Sequence, residues 1–223
     1  MSVHVKYPSY AEGLAELRKN LTAALPEEAL NVFDSDAKQL EKTHQSVIKL
    51  KVGEKAPDFS LSNATGENVS LSDLLKNGKV VLTFYRGTWC PYCNLQLNQY
   101  QQILPEIKAL GAELVAISPQ TPDESLNITE KNELQFEVLS DNGNIVAKKF
   151  VTVFKNGDIP VNKMTELGFD FDSHYSDDSR ELPVPAVFII DQNFTVVFAR
   201  SLGGDYRNRV EASEILETLK NNQ

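Results

Sequence analysis

Cys90 and Cys93 are the two cysteines of the chain, three positions apart in Thr88-Trp89-Cys90-Pro91-Tyr92-Cys93. Pro91 suits a first helical position, which places Cys90 at the N-cap and Cys93 one turn in. Unpaired backbone N–H groups and the positive end of the helix dipole favour an anion there, and a thiolate is such an anion. In such a place a thiol pKa falls from ~8.5 to somewhere within ~3.5–7.5. The three-residue offset sets both sulfurs on one side of the first turn, so a disulfide can form and break without moving the scaffold. Zinc needs about four ligands. No second cysteine pair exists, and His4, His44 and His174 are scattered, so no metal is expected.

These positions need a strand before them and a helix after them. Lys79 to Tyr85 is a near-continuous apolar run of the buried, parallel-sheet type. Beyond a break at Arg86-Gly87, Cys93, Leu97, Tyr100, Leu104 and Ile107 recur at helical spacing, with a kink expected at Pro105 and a stop at Gly111. Further strands are expected at 58–61, 68–71, 113–118, 136–139, 187–190 and 195–198, with helices at 122–134, 144–150 and around Ile215 to Leu219. Ser72 is the expected cap of a short helix through Leu75. This order predicts an α/β three-layer sandwich with a mixed central sheet over residues 51–223. Residues 1–50 form a separate N-terminal helical extension: one helix through Ala11, Leu14, Leu17, Leu21 and Leu25, then a second from Glu27 to about Thr43. It reads as a cover over part of the core, with homodimerisation as its alternative role. Residues 151–185, with Gly157, Pro160, Gly168 and an acidic run, read as a long connection.

The chain has 223 residues, a formal net charge of −9 and 41% hydrophobic residues. The acidic balance argues against nucleic acid and anionic membrane as partners. No apolar run approaches the ~20 residues of a membrane span, and the opening Met1-Ser2-Val3-His4-Val5-Lys6 does not read as a secretory signal. The expected location is the cytoplasm.

Several segments resemble the alkyl hydroperoxide reductase/thiol-specific antioxidant group, the peroxiredoxins. They are Val52 to Leu61, Leu139-Ser140-Asp141 and Val187 to Asp191. Phe84-Tyr85-Arg86-Gly87-Thr88-Trp89-Cys90-Pro91-Tyr92-Cys93-Asn94, Ala116 to Thr121 and Asp205-Tyr206-Arg207 are similar to a bacterial branch that carries a thioredoxin-style Cys-x-x-Cys. The resemblance implies a thioredoxin-like fold, reduction of hydroperoxides, no prosthetic group, and recycling by thioredoxin or a glutaredoxin-type dithiol. Ordinary members place a threonine three residues before the peroxide-reacting cysteine; here Gly87 is three before Cys90, and Cys90 is itself three before Cys93. Thr88 could serve only with a one-residue shift. The arginine that precedes the Phe-Ile-Ile-Asp strand in the family is replaced by Pro185, leaving Arg86, Arg180 and Arg200 as substitutes. Val184-Pro185-Ala186 is similar to the cis-proline segment of thioredoxins, so a cis bond is expected at Pro185.

Two redox readings stand beside each other. In the first, a thiolate attacks the peroxide and the second cysteine condenses with the sulfenic acid. In the second, the pair exchanges with external disulfides, Cys90 attacking and Cys93 resolving. A module that kept the fold and lost the chemistry is a third. Cys90 is the expected first nucleophile and Cys93 its partner, with Thr88, Trp89, Arg86 and Pro185 supporting them; the resemblance leaves the reverse order open.

Overall fold

The strand that carries the cysteine loop is buried on both faces, and the sheet is built around it. The computed structural model describes residues 7–222; Met1–Lys6, including His4, lie outside the described residues. In chain order the elements are α1 (Tyr10–Ala24), α2 (Glu27–Thr43), β1 (Ser60–Asn63), β2 (Asn68–Ser70), α3 (Leu71–Leu74), β3 (Lys79–Phe84), α4 (Pro91–Gln102), α5 (Leu104–Ala109), β4 (Ala112–Ser118), α6 (Pro122–Lys131), β5 (Glu137–Ser140), α7 (Ala147–Phe150), β6 (Val153–Lys155), α8 (Asp158–Glu166), β7 (Glu181–Pro183), β8 (Ala186–Ile190), β9 (Val196–Arg200) and α9 (Ala212–Asn221). The main sheet has the order β2-β1-β5-β4-β3-β8-β9. β3, β4 and β5 pair in parallel, and β8, β9, β1 and β2 join antiparallel, which gives the expected mixed sheet.

Period-two alternation decides which side chain meets which layer. Val80, Leu82 and Phe84 of β3 face one layer with Val115, Ile117, Phe150 and Phe188. Val81 of β3 turns to the other, with Tyr100, Ile103, Ile107, Ile215 and Leu216. Tyr85, just beyond β3, joins that second layer beside Cys90, Cys93 and Leu97. Burial of both faces explains why β3 lacks the polar alternation of a surface strand.

The helix over the cysteines breaks at Ile103, and Pro105 sits in the first turn of α5 rather than inside a continuous helix. Ser70, not Ser72, caps α3: its hydroxyl accepts from the Asp73 N–H, while the Ser72 N–H is taken by Asp58.

The N-terminal hairpin packs against the cysteine helix. Gly13 is where α1 crosses α4: a Cβ there would stand 2.8 Å from Gln99 Nε2 and 2.9 Å from Leu95 Cδ1. Glu211 ties the start of α1 to the start of α9, accepting from the Tyr10 and Ala11 N–H groups at 2.6 and 3.0 Å.

Residues 151–185 are not a bare connection. β6 and β7 pair antiparallel as a second, two-stranded sheet, and α8 lies between them in sequence and against α2 in space. Three-residue strands are too short to display a period, which is why the sequence pattern conceals them. No peptide bond is cis among the described residues, so the cis bond expected at Pro185 is corrected to trans. The chain runs extended from β7 straight into β8, with the Val184 N–H donating to Thr152 and the Pro185 carbonyl accepting from Ser201 Oγ. No tight turn is present to repay the ~0.5–1 kcal/mol that a cis X-Pro bond costs.

Candidate active site

Cys90 is the N-cap of α4, with extended backbone angles, and its carbonyl accepts from the N–H groups of Cys93 and Asn94. The Asn94 side chain adds a brace by donating to the Thr88 and Cys90 carbonyls at 2.7 and 3.1 Å. Both cysteines are free thiols. Both are enclosed, Cys90 at 1% exposure and Cys93 at 0%, because Leu14, Leu17, Leu21 and Ala37 of the hairpin pack over that end of the sheet. Cys90 is the sulfur that borders the adjoining cavity, and Cys93 is the one whose thiol is lowered.

The charge rests on Cys93. Arg209, in the loop before α9, is 3% exposed and donates through Nη2 to Cys93 Sγ at 3.4 Å, with Cys90 Sγ at 4.0 Å. Its Nη1 is held by the carbonyls of Tyr206 and Asn208. Burial pushes both thiols up. At Cys93 the Cys90 thiol, the Arg209 charge, the Arg86 backbone N–H and the Arg209 N–H outweigh burial and bring it well below the usual thiol range. At Cys90 burial, the hydrogen bond to Cys93 and the Cys93 charge hold the proton in place, well above that range. The two sulfurs share their titration, with ionisation favoured at Cys93 and opposed at Cys90.

Arg86, 3% exposed, sits beneath aromatic rings: its guanidinium carbon is 3.8 Å from the Tyr206 centroid and 4.8 Å from that of Trp89. Trp89 donates to the Tyr175 hydroxyl at 2.7 Å, and that hydroxyl donates to the Arg86 carbonyl at 3.2 Å. Thr88 is held by its neighbours. Its N–H donates to Gln120 at 2.6 Å, and its hydroxyl lies between Gln120 and Glu124, so it fixes the loop. Pro185 enters β8, whose Ala186 pairs with Phe84 at the end of β3, level with the cysteine loop. Arg180 and Arg200 are elsewhere, paired with Asp172 and Asp158 and with Glu214. Sequence reasoning missed Arg209; only its nearness to Asp205-Tyr206-Arg207 pointed toward it.

A cavity of about 330 Å³ opens above Cys90. α1 and α2 and the turn between them supply Leu21, Leu25, Leu30 and Phe33, α8 supplies Met164, and Asp36, Arg86 and Asn156 are polar members of the lining. Arg18 also borders it but is committed, donating to both Asp34 oxygens at 2.7 Å and to Tyr92 at 3.2 Å. Among the described residues no group of His, Cys, Asp and Glu could hold a metal ion, and no helix is long and apolar enough to cross a membrane.

Residues 52–199 match the model of the AhpC/TSA family. Peroxiredoxin Bcp of Escherichia coli K12 is 34% identical over 101 residues, covering 45% of this chain and 64% of that protein, so the chain spans somewhat less than two thirds of that relative's length. The thiol-disulfide oxidoreductase ResA of Bacillus thuringiensis is 28% identical over 103 residues, covering 46% of this chain and 58% of that protein. The crystal structure of peroxidoxin BcpB from Mycobacterium tuberculosis superposes with a TM-score of 0.61 at 25% identity, covering 78% of this chain and 99% of that one. The thioredoxin-type sheet, the paired cysteines at the head of α4 and a family match over most of the chain lead to one conclusion: the chain belongs to the AhpC/TSA family.

Proposed function

We propose that the chain reduces hydroperoxides through its cysteine pair, with Cys93 as the sulfur that meets the peroxide and Cys90 as the sulfur that resolves it. The observation that carries this reading is the buried contact between Arg209 and Cys93, the sulfur whose thiol is lowered. A thiolate is the nucleophile, a thiol is not. Cys93 attacks the terminal peroxide oxygen and becomes a sulfenic acid. Cys90, one helical turn away, then condenses with it to a disulfide and releases water. An external dithiol, of the thioredoxin or glutaredoxin type, attacks Cys90 of that disulfide and expels Cys93, whose low pKa makes it the better leaving group. A pair that must return to dithiol form after each turnover fits the reducing cytoplasm. The N-terminal helical hairpin is a working part of the domain over 51–223, because it helps to wall the cavity above Cys90.

The disulfide-exchange reading requires Cys90 to be the ionised sulfur, and burial and the neighbouring Cys93 push the Cys90 thiol up. The test is peroxide consumption with thioredoxin and its reductase, run beside insulin-disulfide reduction. Peroxide turnover without insulin reduction is expected. Insulin reduction with no peroxide reaction faster than that of a free thiol overturns the proposal.

A further inference from the structure

Four buried polar atoms belonging to residues that line the cavity have no hydrogen-bond partner among the described residues. They are Asp36 Oδ2, Arg86 Nε, Asn156 Nδ2 and Asn156 Oδ1. Arg86 is 3% exposed and Asn156 1%, so both are turned away from bulk solvent. A buried donor or acceptor left unpaired costs free energy unless something supplies its partner.

The three residues reach the cavity from separate elements. Asp36 comes from α2, near enough to Arg86 for the guanidinium charge to bear on its carboxyl. Arg86 follows β3, and the rings of Trp89, Phe154 and Tyr206 occupy the faces of its guanidinium and leave its N–H edge. Asn156 stands just past β6, two positions beyond Phe154. Its backbone N–H is taken by the Arg180 carbonyl, and its side chain is left to the cavity. The remaining walls are mostly apolar, and the part that α1 and α2 contribute lies outside the segment that matches the family model.

The unpaired atoms select a ligand by their chemistry, since two are donors and two are acceptors. A carboxylate brings acceptors only and would face Asp36. An ammonium brings donors only and would face Arg86. A ketone brings no donor. A primary carboxamide brings two N–H donors and two carbonyl lone pairs. The cavity of about 330 Å³, at ~30 Å³ per water-sized group, has room for roughly ten non-hydrogen atoms, the size of an amide on one aromatic ring.

We propose that Asp36, Arg86 and Asn156 form a binding site for a small primary carboxamide with an apolar body, which caps Cys90 when bound. The amide oxygen accepts from Arg86 and Asn156, the amide nitrogen donates to Asn156 and Asp36, and the body lies among the apolar walls. Cys90 borders the same cavity, so an occupied site covers the sulfur that the external dithiol must attack and slows recycling. The binding stands by itself; its effect on recycling rests on the hydroperoxide-reducing reading above.

The test is calorimetric titration of the reduced protein at neutral pH with benzamide, acetophenone, benzoate and benzylamine, which share a ring and differ in their head groups. Benzamide should bind at least about tenfold more tightly than the other three, the worth of one buried hydrogen bond. Asn156→Leu should erase the preference for benzamide over acetophenone. It should also leave resistance to urea unchanged or raised, because an apolar group replaces an unpartnered polar one. A preference for benzoate or benzylamine, equal binding of all four, or no saturable binding of benzamide would each overturn the proposal. A folded Leu variant that keeps the preference would do so too. Should the Leu variant not fold, Asn156→Asp, which keeps the size and loses the donor, should show the same loss of preference. In thioredoxin-driven turnover benzamide should raise the thioredoxin concentration that gives half-maximal rate, and binding without that inhibition would overturn the capping of Cys90. A protein inert to every hydroperoxide would instead remove the functional reading and leave the calorimetric result to decide the site.

Discussion

Arg209→Met removes the cation at Cys93 while keeping most of the side-chain volume. At 3.4 Å and an effective dielectric of ~20, the charge interaction is about 5 kcal/mol, an upper bound equal to roughly 3–4 pKa units. Partial compensation by the Arg86 backbone N–H and the Cys90 thiol should leave a rise of about two units or more in the Cys93 midpoint. Below the wild-type midpoint the thiolate population falls tenfold per unit, so peroxide oxidation there should slow by roughly 10²–10³, with the alkaline plateau retained. Ultraviolet thiolate absorbance and the pH dependence of iodoacetamide alkylation, both on the Cys90→Ser background, measure the midpoint. The substitution also strips donors from the Tyr206 and Asn208 carbonyls, at about 1–3 kcal/mol for each buried group left unpaired, so urea unfolding must accompany the titration. Arg209→Lys separates the two effects, since it keeps the charge and loses the fork. A midpoint that stays within a few tenths of a unit in the Met variant would refute the electrostatic account. A Lys variant that behaves like Met would transfer the effect from charge to scaffold.

Other expectations concern the sulfurs, the loop and stability. Cys90→Ser should consume about one equivalent of peroxide and stall as a sulfenic acid trappable with dimedone, while Cys93→Ser should not react; exchanged behaviours would reverse the order of the pair. Peroxide should convert the wild-type protein to an intramolecular Cys90–Cys93 disulfide, visible in non-reducing peptide mass spectrometry; a dominant crosslink between chains would contradict it. Gly87→Ala puts a Cβ 2.5 Å from Trp89 Nε1 and 3.0 Å from Gln120 Cδ, so it should cost about 1–3 kcal/mol in urea unfolding and slow the peroxide reaction together. The pH dependence of stability in the reduced protein has a definite sign. Cys93 is depressed, so its contribution is full above the unfolded thiol pKa of ~8.5 and is lost as pH falls through its folded value. Cys90 is raised, so its contribution is full below ~8.5 and is lost as pH rises through its folded value. Relative to the double serine variant, stability should peak near pH ~8.5, and a flat difference would refute the opposed shifts of the two thiols.

Local features were legible in the residues, and tertiary ones were not. Pro91 announces the start of α4, and with it the cap position of Cys90. The leucine spacing of α1 and the helix from Glu27 to Thr43 follow from periodicity and Pro26 alone. The near-continuous apolar runs of β3 and β4 reveal the parallel core. Which sulfur carries the charge depends on Arg209, 116 residues beyond Cys93, and no local pattern links them. Asp36 reads as an ordinary polar residue of an amphipathic helix until the hairpin closes over Arg86 and Tyr206. β6 and β7 are defined by each other across α8, so neither is visible by itself.

The remoteness of Arg209 sets an order of events during biosynthesis. The cysteines leave the ribosome with their helix, yet the cation that ionises Cys93 is translated 116 residues later, roughly 6–23 s at ~5–20 residues per second. Arg209 must then dock beneath a hairpin made at the beginning of the chain, where Tyr10 donates to the Arg207 carbonyl. Throughout that interval the nascent chain carries two ordinary, weakly nucleophilic thiols. Cys93 acquires its full reactivity only when early and late segments have met, so a truncated or misassembled chain does not display an activated sulfur to its surroundings.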